Sequence, residues 1–183
     1  MVSFGSLYEN IKGFGTSLSS FARNKPQQKL IDDLVIQILG GKYQRDKAKD
    51  FILHEDRRRI NLAHASSGQQ ETLPLVLILR AITRISFSGN GLTMYIEEPE
   101  AHLFPSAQKM MVELISASIK LSRNNCQLLL TTHSPYIIAS FNNLLQAGQL
   151  VESETIGAEA VDKVIDSIFS ISPSALNAYA LEK

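Results

Sequence analysis

The sequence predicts an α/β fold: a parallel sheet core with flanking helices, preceded by a small antiparallel meander. Residues 92–96 and 127–132 are short runs dominated by strand formers and closed by turn signals, as in buried strands of a parallel sheet. Helical apolar spacing follows each run. Strand, helix, strand, helix in the second half therefore calls for parallel crossovers. Residues 42–63 instead break into short charged pieces between turns, the pattern of a meander with one wet face. One domain is expected over 1–183, with a helical segment (1–40), the meander (41–64) and the α/β core (65–183).

Taken in order, residues 6–23 and 27–39 read as two helices parted by Asn24-Lys25-Pro26. Leu30, Leu34, Ile38 and Ile31, Val35, Leu39 form i, i+4 rows, giving the second helix a wide apolar face. Gly40-Gly41 ends it by supplying left-handed backbone freedom. In the meander, 46–49 and 54–57 read as turns, the second leading into Arg57-Arg58-Arg59, which reads as a solvated hairpin tip before a phosphate contact. Ser66 and Ser67 each have a glutamine three residues on, the capping-box spacing that opens a helix. That helix runs to Ile82 and is apolar nearly all round, so it is expected to be buried, with a kink near Gln70 where Pro74 removes a backbone donor. Pro105 suits a first helical position, and the helix it starts extends to about Ser122. Further helices are expected over 136–145, with Gly148 in the turn beyond, and over 158–168. A last strand is expected over 175–181.

Composition narrows the classes. The 183 residues are 44% apolar, enough for a core, and the 18 Lys and Arg balance 18 Asp and Glu. Balanced charge gives no global attraction to nucleic acid or anionic membrane. The lone Cys126 allows no internal disulfide and points to a reducing, cytoplasmic setting. It reads as a buried, inert thiol. No apolar run reaches the roughly 18 residues of a membrane span, so no membrane partner is expected.

The chemistry concentrates where strand 92–96 runs into Glu97-Glu98 and then Pro99. Ligands of open α/β sheets bind beyond the carboxyl ends of the strands. Adjacent strand residues face opposite sides, so one carboxylate can hold a metal while the other acts on water. The next strand ends in His133-Ser134-Pro135. Ser66-Ser67-Gly68-Gln69 opens a helix, whose N-terminus offers unpaired N–H groups and a positive dipole to an anion.

Glu97-Glu98-Pro99-Glu100-Ala101-His102-Leu103 and Thr132-His133-Ser134-Pro135, with Ser66 to Gln69 before them, resemble the ABC-type and AAA-like ATPases. The wording is most similar to ATPases related to the overcoming-lysogenization-defect (OLD) family and to SMC proteins. The likeness is specific from about 66 to 145. It implies a P-loop NTPase fold with ATP as substrate and Mg²⁺ as cofactor. By the resemblance, Glu97 would be the Walker B acid holding Mg²⁺ through water, and Glu98 would polarise the attacking water. His133 would meet the terminal phosphate. Pro99 to Leu103 would face a second subunit. Ser66, Ser67, Gly68 and Gln69 would form the signature loop, reaching ATP held by the opposite subunit. A homodimer, a nuclease or DNA partner, and a defence or DNA-related system are implied in the same way.

Two departures stand out. The first acid is Glu97 where the common pattern has Asp. The phosphate-cradling G-x-x-x-x-G-K-[ST] loop is also missing: Gly40-Gly41-Lys42 is followed by Tyr43, with Ile36 in place of the first glycine. In the family the Walker A lobe precedes the region matching this chain. The fold is therefore expected to be incomplete on its N-terminal side, and the chain to hydrolyse ATP only with a Walker A-containing partner segment. Two other readings remain open. One is a metal-dependent nuclease using Glu97, Glu98, Glu100 and His102. The other is a non-catalytic interaction module on a degenerate ATPase fold.

Overall fold

The computed structural model describes residues 4–13, 25–85, 91–122, 125–153 and 158–180. Two helices come first, α1 (Phe4–Gly13) and α2 (Lys25–Leu39). The expected continuation of the first helix to residue 23 lies outside the described residues. Both apolar rows of α2 contribute to the core: Ile31, Leu34, Val35, Ile38 and Leu39 are buried. Gly40, at φ +64°, turns the chain out of the helix, and the N–H of Gly41 closes on Ile36 O at 2.9 Å. The Gly40-Gly41-Lys42 run thus caps a helix and leads into a strand.

The meander is β1 (Lys42–Asp46), β2 (Lys49–Leu53) and β3 (Arg59–Asn61), all antiparallel. Asp46 and Lys49, expected in a turn, pair across the ladder. The turn is only Lys47-Ala48, both at positive φ, the two-residue form whose twist matches the strands. Asp50 anchors this sheet to α1 and β1, bonding Tyr43 Oη at 2.6 Å and Lys12 Nζ at 2.9 Å. Arg59 reaches Asp46 and stacks on Phe51, so part of the basic run serves the hairpin itself.

Helix α3 (Ser67–Ile82) runs unbroken through Pro74 and is buried as its composition demands: Leu73, Val76, Leu77, Ile78, Leu79 and Ile82 lie in the core. A polar lock fastens it to α2. Arg84, almost wholly buried, and Arg80 share Asp32 Oδ1, while Gln28 accepts from Arg84 Nε at 2.7 Å. Burial presses the Arg84 guanidinium toward its neutral form, and Asp32 opposes that.

β4 (Leu92–Glu97) and β5 (Cys126–Thr131) pair in parallel, with α4 (Pro105–Leu121) as the crossover and α5 (Pro135–Glu152) after β5. Leu92, Met94, Ile96, Leu128 and Leu130 face the core. The other face is open: Tyr95 is 73% and Leu129 53% exposed. This corrects the expectation of strands buried on both sides. Among the described residues, helices cover one face only. The mixed α/β architecture with a parallel strand pair is compatible with an AAA-type P-loop domain.

Three carboxyl-terminal expectations also change. α5 runs past Leu145 to Glu152, and Gly148 lies inside it, because the backbone of Ile171 crosses there. α6 (Ala158–Asp162) stops well short of 168. Asp162 and Asp166 take the N–H groups of Ser167 and Ile168, diverting the backbone from helix, and Val164 is left 83% exposed. Over its described part, 175–180, the strand expected at 175–181 does not form. Pro173–Ala175 is a 3₁₀ turn and residues 176–180 are without regular structure; among the described residues no strand edge pairs with them.

Candidate active site

The parallel register places Glu97 opposite Thr131 at the carboxyl end of the sheet, on its open face. One residue on, the N–H of Glu98 still bonds Thr131 O at 2.9 Å, but Glu98 adopts φ +44° and leaves the strand direction. Strict alternation would turn its side chain toward the core; the left-handed backbone leaves it exposed instead. There Glu98 Oε1 meets His133 Nε2 at 3.4 Å. The sequence-predicted pair is thus brought together. The ledge is open to solvent, with the imidazole 88% exposed.

Ser134, beside His133, caps α5: its hydroxyl accepts from the N–H groups of Tyr136 and Ile137, with Pro135 in the first turn. The same hydroxyl donates to Gln108 Oε1 of α4, and Gln108 Nε2 donates to Leu103 O at 2.9 Å. Glu100 accepts from Thr132 Oγ1 and from the N–H groups of His133 and Ser134. Partial burial pushes its pKa up, but these hydrogen bonds outweigh burial and hold the carboxyl below its ordinary value.

At the start of α3, Ser66 accepts from the N–H of Gln69 and the Gln69 side chain accepts from the N–H of Ser66, the capping box read from the sequence. Gln69 also donates to Leu39 O at 2.7 Å, which ties its amide to the end of α2. Ser66 and Ser67 are exposed. Gly68 has a role the sequence did not suggest. A Cβ built there would stand 2.7 Å from His102 O, so glycine lets the 98–103 turn lie against the helix. His102 Nε2 meets Glu71 Oε2 at 3.2 Å in the same contact. The start of α3 therefore meets the acidic turn at His102, through Gly68 and Glu71.

The donor set bears on metal. Among the described residues no three His, Cys, Asp or Glu side chains form a group able to hold an ion. Of the extra ligands of the nuclease reading, Glu100 gives Oε1 to the 132–134 segment while its buried Oε2 has no partner among the described residues, and His102 pairs with Glu71. One or two exposed carboxylates suit Mg²⁺, which keeps several waters and completes its shell with substrate phosphates. Glu97 fits that role. A groove of about 510 Å³ lies elsewhere, between α4, α5 and α6, lined by Glu113, Leu144, Val161 and Ile165.

Sequence reasoning gave Thr132 and Gln108 no role of their own, and took Glu100 as part of the 99–103 segment facing a second subunit and as a possible nuclease ligand. The signal available was a polar residue at every position from 131 to 134.

Acids at the end of one parallel strand, a histidine beyond the next and a capped helix N-terminus packed against the same turn are the arrangement in which α/β domains bind phosphate ligands. The family described as the AAA ATPase domain matches residues 4–138, so the chain belongs to that family. The match contains every candidate site residue. It implies ATPase function with ATP and Mg²⁺. No curated protein matches the chain. No helix among the described residues is long and apolar enough to cross a membrane.

Proposed function

We propose that this chain supplies the water-activating and phosphate-sensing half of an OLD- or SMC-like ATPase, hydrolysing ATP to ADP and phosphate. The observation that carries the reading is the approach of Glu98 to His133, 3.4 Å apart beyond two adjacent parallel strands. Glu98 accepts the proton of the attacking water, and His133 donates to the terminal phosphate. Glu97 holds Mg²⁺, which when bound neutralises phosphate charge. Phosphoryl transfer asks for this positioning and charge neutralisation more than for covalent help. Ser66, Ser67, Gly68 and Gln69 meet ATP of a second subunit, and a Walker A-containing segment cradles its remaining phosphates. The exposure of Tyr95 and Leu129 among the described residues supports such completion, since parallel sheets are ordinarily covered on both faces. A defence or DNA-related system is the setting proposed.

The test is a pair of substitutions in the completed ATPase. Glu98→Gln keeps size but cannot take a proton, so ATP should bind while turnover falls roughly 10²- to 10⁴-fold. Glu97→Gln should instead weaken Mg²⁺-dependent nucleotide binding. Unmodified turnover in Glu98→Gln, with Glu97→Gln alone inactive, would show the catalytic carboxylate to be misassigned. Nicking of DNA by the chain with Mn²⁺ and no nucleotide would favour the nuclease reading.

A further inference from the structure

The turn after β4 carries a third acid that this chemistry does not use. Glu100 Oε1 gathers three hydrogen bonds from one short segment: Thr132 Oγ1 at 2.7 Å, His133 N at 2.8 Å and Ser134 N at 3.1 Å. Gln108 adds a second fastening between Leu103 and the Ser134 hydroxyl. Both ends of the 98–103 turn are therefore bound to the turn that bears His133. The imidazole itself is 88% exposed, and its Nε2 meets Glu98 Oε1 at 3.4 Å. Packing cannot fix a ring so open; its backbone must. That backbone is held by an ionised acceptor, which makes stronger hydrogen bonds than a neutral one. The acceptor also sits at the N-terminus of α5, where negative charge is favoured.

We propose that Glu100 is a positioning residue whose carboxylate clasps residues 132–134 and so holds His133 opposite Glu98. The role rests on the reading of Glu98 and His133 as the reacting pair. Glu100 touches neither water nor nucleotide in this role; it acts through the histidine. A shift of the 98–103 turn then moves His133 with it, and His102 links that turn to the start of α3.

Glu100→Ala and Glu100→Gln in the full 183-residue chain test the clasp by amide hydrogen exchange. In Glu100→Ala, exchange at His133 and Ser134 should quicken about 10- to 100-fold while amides of α3 and α4 keep their rates. Glu100→Gln keeps a neutral acceptor and should stay within about 10-fold of the unmodified chain. In the completed ATPase, Glu100→Ala should lower kcat at least about 10-fold with KM within about 3-fold, and Glu100→Gln should recover most of the loss. Unchanged exchange at the two amides, or acceleration spread evenly over the domain, overturns the clasp. A completed, unmodified ATPase with no turnover overturns the reading of the reacting pair instead, and the exchange data separate the two failures.

Discussion

Gly68→Ala separates two reasons for a glycine at the start of α3. If Gly68 exists only to let phosphate approach, alanine should leave the nucleotide-free protein intact or improve it, since alanine exceeds glycine in helix propensity by up to about 1 kcal/mol. The structure predicts the opposite sign. The new methyl would stand 2.7 Å from the carbonyl oxygen of His102, a backbone atom that no rotamer change can remove. The 98–103 turn cannot yield freely either. It is pinned by Ala101 N to Glu98 O at 3.0 Å, by Leu103 N to Glu100 O at 2.9 Å, and by Glu100 to the 132–134 segment. Overpacking of this kind costs about 1–3 kcal/mol, so the net loss should be about 1 kcal/mol after the propensity gain. For a domain of this size that lowers Tm by roughly 2–4 °C. The assay is thermal or urea unfolding without nucleotide, with amide exchange at residues 100–103 as the local readout. A Gly68→Ala chain more stable than its parent, with unchanged exchange there, would refute the packing argument.

Other perturbations follow from the same geometry. Ile96→Lys should unfold the domain, while Tyr95→Lys, one residue away on the open face, should shift Tm by less than about 2 °C; calorimetry on both checks which face is buried. Gly148→Ala places a methyl 2.0 Å from Ile171 O and should destabilise by about 2–3 kcal/mol in urea, although helix propensity alone predicts a gain. Glu100 has a folded pKa depressed below its ordinary 4.5, so its stabilising contribution is full above that value and is lost as pH falls through the lower folded pKa. The stability gap between the unmodified chain and Glu100→Gln should therefore narrow on acidification below pH 4.5, as followed by denaturation at stepped pH.

Where one physical signal dominated, the sequence was legible. The i, i+4 rows of α2 and the continuous apolar run of α3 each stated their element directly, and the capping-box spacing, open between Ser66 and Ser67 in the sequence, is realised at Ser66. Periodicity failed where local side chains compete with the helix: Val161, Val164, Ile165 and Ile168 have helical spacing, yet Asp162 and Asp166 take the N–H groups that a longer helix would need. Gly148 read as a turn because its true cause, a backbone crossing from residue 171, lies far off in sequence. In the site, Glu98 and His133 were legible as strand-end groups. The hydrogen bonds of Glu100 were less so: two of the three come from backbone N–H groups, which leave no residue-type signature, and only Thr132 offers one.

The acidic turn also shows how a strand end becomes a site. Alternation along β4 sends Leu92, Met94 and Ile96 inward, so residue 98 of an extended chain would have aimed a carboxylate into the core. Two non-glycine residues in left-handed backbone, Glu98 at φ +44° and His102 at φ +58°, remove that conflict by turning the chain within five residues. Each such residue costs roughly 1 kcal/mol or more, and persists only where surrounding contacts over-determine it. The contacts are on hand. The N–H of Glu98 extends the sheet ladder to Thr131, Glu100 gathers the 132–134 segment, and His102 rests on Gly68. Loosening any of these three should let Glu98 relax away from His133, even though none of them touches the side chain of either residue.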